Sequence, residues 1–271
     1  MKVLLVAGDG APEAAVAADL ARGLVEHGWD ADVLGATRGT GAARIERGAS
    51  GTNRSMIVRT DPAPRHWQRT RSITVAELVR EHARATAVDL VHVLSWKGTT
   101  HDLVAACARI AIPCVVTLAD AWYGCLVEDR VHRPSRKSCT EPLGPSACLA
   151  CAEVEFGETP WVPIDARYMA VAERRRDTLR ELLLARRVIV PDRSCIEAAR
   201  QALSDSLADV AFDVVADARD ARAHAAVYAA ATSSPSRNPA EKAPEWWIER
   251  MQVEAERAWD EASSRGPECG R

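Results

Sequence analysis

Short apolar runs alternate along the chain with longer segments that have helical periodicity. Runs of this kind, bounded by glycine, proline or polar residues, predict buried parallel strands over residues 2–7, 30–35, 55–60, 89–95, 112–118 and 188–192. The intervening patterns predict helices over 11–28, 74–86, 100–110, 164–187 and 194–203, the last of them opened by Ser194 as its N-cap. This alternation predicts an α/β fold with a Rossmann-like, doubly wound parallel sheet.

The same pattern divides the chain into a main domain and smaller segments. Residues 37–53 are rich in glycine, threonine and serine, which predicts a mobile loop. Beyond residue 205 the periodicity weakens, and the terminal tryptophans give the last helix an apolar face. The predicted units are a Rossmann-like domain over 1–205 that carries a cysteine-rich loop insert over 119–163, a peripheral strand and helix over 206–231, a polar linker over 232–244 and a C-terminal helix over 245–264.

Ligands of doubly wound sheets bind beyond the carboxyl ends of the strands. The segments that follow strands here are residues 8–13, 95–100, 119–125 and 191–194. We therefore expect these four segments to meet at one edge of the sheet and to form the binding site.

Composition narrows the function classes. The 271 residues are 47% apolar, which is enough for a large core, and the formal net charge of −3 gives no general attraction to nucleic acid. No run of 18 apolar residues occurs, so no transmembrane segment is expected. The first apolar run leads into a glycine turn and not into a cleavage site, which argues against a signal peptide and for a reducing, cytoplasmic location.

Four of the eight cysteines lie within the loop insert: Cys125, Cys139, Cys148 and Cys151. Cys148 and Cys151 have the Cys-x2-Cys spacing of zinc ligands, and four thiolates suit a closed structural zinc site. The segment has few large apolar residues, so some cross-link is needed to order it. Structural zinc is the expectation, with His132 as a possible substitute ligand. Unliganded or disulfide-linked thiols, or a catalytic metal, stay open as alternatives.

Several other patterns carry a weaker signal. Gly8 and Gly10 follow the first strand, but Glu13 occupies the third glycine position of a dinucleotide fingerprint and would repel a pyrophosphate. The basic run over 173–187 is interleaved with acidic residues, which predicts a solvated helix face. Cys114 falls in a predicted strand and is interpreted as a small core residue. His92 lies near a strand end and is interpreted as a core or surface histidine.

The order of the segments resembles the N-terminal, acceptor-side domain of a family 4-type glycosyltransferase of the GT-B fold. The stretches that carry the resemblance are "GDGAPEAAVAADLARGLVEHGWDADVL", "DLVHVLS", "IPCVVTLADAWYGC" and "LARRVIVPDRSC". They extend over roughly residues 1–205, and the cysteine insert is similar to one that some family members carry.

The resemblance implies a set of site residues. Asp120 corresponds to the aspartate of the family's His-Asp pair and is the expected catalytic residue. The expected acceptor-binding residues are Gly10, Glu13, Ser95, His101, Trp122, Tyr123 and Ser194. Trp122 and Tyr123 follow the family's aromatic position, where they would either stack on a sugar ring or pack beneath the cysteine loop.

The sequence departs from the family at two points. Ala119 stands where the family has the histidine, so no imidazole is available there to relay a proton. About 66 residues follow position 205, fewer than the roughly 150 that a donor domain needs. The resemblance then implies an acceptor-binding half that uses a nucleotide-sugar held by a separate donor-domain chain. The alternative is a non-catalytic relic or regulatory domain that binds a glycan or a protein partner.

The resemblance also bears on partners. The expected acceptor is a glycan or a lipid-linked sugar, so peripheral membrane contact is possible, whereas no nucleic-acid partner is expected.

Overall fold

A computed structural model describes residues 1–9, 11–38, 42–47, 54–59, 71–157 and 162–233 of the chain. Gly10, most of the predicted linker and the predicted C-terminal helix with its tryptophans lie outside these residues.

The described residues form ten strands and seven α-helices, with two short 3-10 turns at Ala121–Gly124 and Asp205–Asp209. In chain order they are β1 (Lys2–Ala7), α1 (Ala11–Glu26), β2 (Asp30–Arg38), β3 (Arg44–Arg47), β4 (Arg54–Arg59), α2 (Ile73–Ala85), β5 (Leu90–Val93), α3 (Leu103–Ala108), β6 (Cys114–Thr117), β7 (Val131–His132), β8 (Lys137–Ser138), α4 (Pro145–Phe156), α5 (Ile164–Leu184), β9 (Arg187–Val190), α6 (Ser194–Ala202), β10 (Phe212–Val214) and α7 (Ala221–Ser233). Among the described helices, none combines the length and hydrophobicity needed to cross a bilayer.

Eight strands form one sheet in the order β10-β9-β6-β5-β1-β2-β4-β3. Every neighbouring pair is parallel except β3 and β4, which are antiparallel. The strand order reverses between β1 and β5, and a crevice for ligands opens at such a switch point. The sequence prediction of a doubly wound α/β sheet is confirmed.

The central strands are buried on both faces, which explains why they read as continuous apolar runs. Along β1, Leu4 and Val6 join a core that also contains residues of α2, α3, α5 and α6. Val3, Leu5 and Ala7 point to the other face, where α1 and α7 supply the packing residues. Helices on both faces of the sheet hold its strand ends in register at the predicted binding edge.

The loop predicted over 37–53 is wrong in part. β2 continues to Arg38, and β3 pairs through Arg44–Arg47 with Ser55–Val58 of β4. Pairing satisfies backbone groups that the edge of β4 would otherwise leave open. A four-residue strand among glycines and serines gives too little alternation to be recognised from sequence.

The insert over 119–163 is also more ordered than the predicted loop. It contains the β7–β8 hairpin and the helix α4, which begins with Pro145 in its first turn. Leu126, Leu143 and Leu149 are at most 5% exposed and belong to the main core. The insert therefore needs no core of its own, because its few large apolar side chains pack on the sheet domain.

The prediction of a solvated face for residues 173–187 is wrong. Six consecutive or near-consecutive polar side chains of α5 are no more than 5% exposed: Arg174, Arg175, Asp177, Thr178, Arg180 and Glu181. Charges of both signs on one helix can be buried when they pair with each other and with neighbouring backbone groups. The sequence shows the mixture of charges but not these partners.

The partners of α5 include the ends of two other helices. Glu181 accepts hydrogen bonds from the backbone N–H groups of Val104 (2.6 Å) and Ala105 (3.3 Å), in the first turn of α3. Arg175 donates to the carbonyl of Leu203 (2.8 Å), immediately after α6. Burial raises the pKa of Glu181 to about 8, so this side chain holds α3 by its hydrogen bonds, whereas the cation of Arg175 at the end of α6 is also favoured by the helix dipole.

Of the two expectations for His92, core or surface, the structure shows the first, and His92 belongs to a buried polar group between the sheet and α7. One ring nitrogen lies 2.6 Å from the Tyr228 hydroxyl and the other 2.7 Å from the Thr117 hydroxyl. The His224 ring lies 5.6 Å away. Burial, with a smaller contribution from the charge of His224, lowers the pKa of His92 well below 6.5, so the folded protein holds His92 neutral.

We predict that acid destabilises the fold through His92. The unfolded chain takes up a proton near pH 6.5 and the folded chain resists it, so stability is present above that pH and is lost as the pH falls below it. Between pH 7.5 and 5.5 the free energy of unfolding should fall by about 1.4 kcal/mol for this histidine alone. Urea denaturation at the two pH values measures the change.

The matched variants are His92→Gln, which should have a pH dependence shallower by about that amount, and His27→Gln, which alters an exposed histidine after α1. An unchanged pH dependence in His92→Gln would contradict the prediction.

Candidate functional site

The turns after β1 and β5 press against each other at the switch point. The Asp9 amide donates to the Lys97 carbonyl at 3.0 Å. A Cβ on Gly8 would lie 2.6 Å from that carbonyl oxygen, and one on Gly98, whose φ is +75°, would lie 2.3 Å from the Asp9 Cβ. Only glycine fits at these two positions, so the contact fixes how the two turns meet.

Lys97 is the cation of this site and is surrounded by carboxylates. Its Nζ atom donates to Glu128 at 2.7 Å. Desolvation lowers the pKa of Lys97, but the hydrogen bond and charge of Glu128, with further contributions from Asp120 and Glu13, outweigh it and raise the pKa. Lys97 is therefore fully protonated at neutral pH and holds the acidic side chains together.

Asp120 follows β6 and lies at the same edge. Its carboxylate accepts a hydrogen bond from the Trp122 amide at 2.9 Å, which caps the Ala121–Gly124 turn and fixes the direction of the side chain. The residue remains open to solvent, yet the surrounding protein raises its pKa by desolvation, against the effect of the Trp122 hydrogen bond. A carboxylate with a raised pKa is better matched to accepting a proton near neutral pH.

Sequence reasoning missed Lys97 and Glu128. Glu128 has φ +70°, in the left-handed region, where a non-glycine residue costs about 1 kcal/mol or more. Its ion pair with Lys97 links the cysteine insert to the site. Lys97 lies in a segment predicted to reach the site, but the fold alone brings Glu128 there, 31 residues along the chain.

The aromatic residues predicted for the acceptor lie beneath the site. His101 is fully buried, stacks on Trp122 with ring centroids 5.0 Å apart and lies within hydrogen-bond distance of the Thr178 hydroxyl, at 3.0 Å. Trp122 and Tyr123 are 6% and 7% exposed, and burial is the main cause that raises the pKa of Tyr123 to about 12. In this structure these rings are buried, and the backbone amide of Trp122 bonds to Asp120.

Two of the predicted acceptor residues are serines that remain accessible at the rim. The Ser95 hydroxyl accepts from the Lys97 amide at 3.1 Å. Ser194 is exposed. The sequence predicted it as the N-cap of α6, but in the structure it is the first residue of that helix. The Asp192 carboxylate accepts from the amides of Ser194 (2.8 Å) and Cys195 (3.3 Å), because a side chain two residues before the free N–H group reaches it best.

The cysteines of the insert lie in one region but form no disulfide among the described residues. Cys125 and Cys151 are buried and share a small apolar cluster with Val127. Burial raises the pKa of Cys148 to about 11, and the charges of the other three cysteines add to the rise. His132, the possible substitute ligand, lies 2.7 Å from the Ser135 hydroxyl.

No arrangement of three or more histidine, cysteine or carboxylate side chains suited to a metal occurs in the part of the chain that the structure describes. The four sulfurs are therefore neighbours without forming a ready-made coordination shell.

The reversal of strand order at the switch point and the helices on both faces define an α/β, doubly wound Rossmann-like fold. Residues 14–148 match the model of Glycosyltransferase Family 4. This segment, which is similar to that family, runs from α1 into α4 and includes Lys97, Asp120 and Glu128. The resemblance in the sequence motifs is thus confirmed.

Solved structures with a related fold are distant in sequence. Sucrose-phosphate synthase from Thermosynechococcus elongatus aligns with 85% of this chain and 96% of its own at 9% identity and a TM-score of 0.43. An E. coli protein described as trehalose-6-phosphate bound with UDP-2-fluoro glucose aligns with 74% of this chain at 9% identity and a TM-score of 0.37, and the alignment covers 42% of that protein. MurG from Acinetobacter baumannii aligns over 82% of this chain and 69% of its own at 14% identity and a TM-score of 0.29. No curated protein matches the sequence.

We predict that Gly98→Ala destabilises the protein by at least about 2 kcal/mol, because it combines a left-handed backbone with a Cβ clash against Asp9. Gly35→Ala is the matched control, since its Cβ would meet no atom within 4 Å. That variant should change the free energy of unfolding by no more than about 1 kcal/mol. Urea denaturation of both variants tests the contact, and equal effects would argue against it.

Proposed function

We propose that this chain is the acceptor-binding half of a glycosyltransferase and that the sugar comes from a nucleotide-sugar. The observation that carries the proposal is the cluster of charged side chains around Lys97 and Asp120 at the sheet edge, called here the recess, within the segment that matches the Glycosyltransferase Family 4 model. Carboxylates and a fixed ammonium group suit an acceptor rich in hydroxyl groups, because charged groups make strong hydrogen bonds.

The recess assigns a role to each accessible side chain. Asp120 accepts a hydrogen bond from the attacking hydroxyl and draws its proton away as the new glycosidic bond forms. Glu13 and Ser95 orient the acceptor at the ends of β1 and β5, and Ser194 borders the recess near β9. The rings of His101, Trp122 and Tyr123 are buried and are not accessible to an acceptor. We therefore assign these residues the role of supporting the turn next to Asp120.

The donor requires a second binding surface. In the GT-B architecture two Rossmann-like domains close over donor and acceptor, which excludes water and aligns the reacting atoms. The described residues contain one such sheet. We propose that a donor-binding domain on a separate chain supplies the other half and that the complex works in the cytoplasm on a glycan or lipid-linked acceptor, with peripheral membrane contact in the second case.

A second candidate function rests on Ala119. Its methyl group stands beside Asp120 where an imidazole would assist proton transfer, and the nearby His101 is buried against Trp122. A domain with this recess but without that imidazole would bind a glycan or a protein partner without catalysis.

We predict that the chain alone does not transfer sugar. Release of nucleotide diphosphate from a panel of nucleotide-sugars, measured with and without candidate acceptors, should stay at background because one domain offers half of the cleft. Acceptor-dependent turnover that disappears in Asp120→Asn and persists in Asp209→Asn, an exposed aspartate before β10, would show a complete enzyme and overturn this part of the proposal.

We also predict that the recess binds a glycan on its own. On a glycan array, Lys97→Met and Asp120→Asn should each weaken the strongest signal about 10–100-fold, the equivalent of losing one charged hydrogen bond. Asp209→Asn should leave the signal unchanged. Loss of the signal in all three variants, or in none, would argue that the recess is not the acceptor site.

A further inference from the structure

Arg174 is a buried cation on α5 that bonds to the turn beside Asp120. The residue has no exposed surface, and burial lowers its pKa to about 10, so it is charged at neutral pH. Its Nη2 atom donates to the Trp122 carbonyl, and its guanidinium carbon lies 4.1 Å from the centre of the Trp122 ring. Among the described residues, its Nε and Nη1 atoms have no hydrogen-bond partner. Within that part of the chain its hydrogen bonding is therefore directed to Trp122.

Arg174 differs from the other buried arginines of α5 in what it contacts. Arg175 donates to the carbonyl that follows α6, and Arg180 pairs with Asp102 at 2.8 Å. In the described ranges no carboxylate bonds to Arg174. A buried charge without a carboxylate partner costs free energy, and an apolar side chain of similar volume is often no less stable in such a position. The contacts with Trp122 are therefore what the cation contributes at this place.

Trp122 joins Arg174 to Asp120. Its backbone amide donates to the Asp120 carboxylate at 2.9 Å, while its carbonyl accepts from Arg174. Its ring stacks on His101 with centroids 5.0 Å apart, so the side chain is held as well. Hydrogen bonds that involve a charged group are about twice as strong as bonds between neutral groups. The Arg174 bond therefore limits the movement of Trp122, and with it the direction of the amide that orients Asp120.

The same contacts continue to the turn that carries Lys97. The Trp96 ring lies 5.2 Å from the His101 ring, and Trp96 is the residue before Lys97. Trp96 and His101 are both buried. Three rings thus lie in series from the turn after β5 to the turn after β6, with the Arg174 guanidinium against the last of them. A movement of Trp122 would change how Asp120 lies relative to Lys97.

We propose that Arg174 is a positioning residue for the recess: it holds Trp122 through the carbonyl and the ring, and Trp122 holds the Asp120 carboxylate in the direction of the acceptor. Arg174 itself is buried and contacts no acceptor. The part of this inference that concerns an acceptor rests on the function proposed above, whereas the orientation of Asp120 by Arg174 stands without it. Separate measurements test the two parts.

The Trp122 amide reports the orientation of Asp120 directly. In the full chain labelled with ¹⁵N-tryptophan, the amide signal of Trp122 is identified by its absence in Trp122→Phe. That signal should shift as Asp120 titrates, and the shift should disappear in Asp120→Asn. In Arg174→Met the bond to the carboxylate weakens, so the shift should be smaller. Its midpoint should rise by about 0.5–1 pH unit, because a carboxylate that loses a hydrogen bond is protonated more readily.

Arg176→Met is the matched control, because it removes a cation of the same helix that pairs with Asp177 at 3.9 Å. Its Trp122 signal should titrate as in the wild type. A loss of global stability alone leaves this titration unchanged as long as the protein is folded, so the measurement separates positioning from a merely structural role. A wild-type titration in Arg174→Met would refute the proposal, and so would a titration that persists in Asp120→Asn.

If Arg174→Met does not fold, Arg174→Lys tests the same role. Lysine keeps the charge but lacks the planar group that lies against the Trp122 ring while it donates to the carbonyl. The midpoint of the Trp122 titration should therefore still rise, and the Trp122 amide should exchange its hydrogen faster than in the wild type. A wild-type midpoint together with a wild-type exchange rate in Arg174→Lys would refute the positioning role.

Binding on the glycan array tests the part that concerns the acceptor. Arg174→Met should weaken the strongest wild-type signal about 3–10-fold, less than Asp120→Asn because the carboxylate is still present, and Arg176→Met should leave it unchanged. Unchanged binding in Arg174→Met, despite a shifted Trp122 titration, would refute a role in acceptor binding. If the wild type binds no glycan, the proposed function fails, and the Trp122 titration alone decides whether Arg174 orients Asp120.

Discussion

The burial of ionic groups along α5 constrains the elements that surround it. A charge inside a protein must be met by opposite charge or by aligned backbone dipoles, or the helix carrying it cannot dock. Glu181 meets the start of α3, Arg175 meets the end of α6, and Arg180 pairs with Asp102 at 2.8 Å. Two neighbouring helices, α3 with its N-cap Asp102 and α6, are thus held by one helix, and Arg174 also bonds to the turn that Asp120 caps.

The recess depends on two layers that arise from different forces. Steric contact between glycine turns sets the spacing of the β1 and β5 ends. In the turn that Asp120 caps, Trp122 stacks on His101 with ring centroids 5.0 Å apart. The charged side chains on top are held by each other, through Lys97 and Glu128. The proposed acceptor site therefore combines charged side chains with buried aromatic rings and tightly packed glycine turns.

Sequence patterns predicted the strands and helices well where burial imposes a strong period. The parallel sheet, its helices and the edge that holds Asp120 followed from apolar runs and from segment order. Whether the charged side chains of α5 are buried or exposed could not be predicted, because the same mixture of arginine and carboxylate residues suits either water or a set of internal partners. Lys97 and Glu128 were missed for a related reason, since their pairing exists only after the insert has folded back onto the sheet.

The two strands at the ends of the sheet have a consequence for how the molecule behaves in a crowded solution. An exposed strand edge invites pairing with another chain, and natural sheets resist this with short strands and charged side chains. β10 has three residues, with Asp213 paired to Arg187 of β9 at 2.5 Å. β3 has four residues, of which Arg44 and Glu46 form an ion pair at 2.5 Å. Both edges thus discourage growth into intermolecular sheets, so the charged ends of the sheet favour a chain that stays separate from its neighbours.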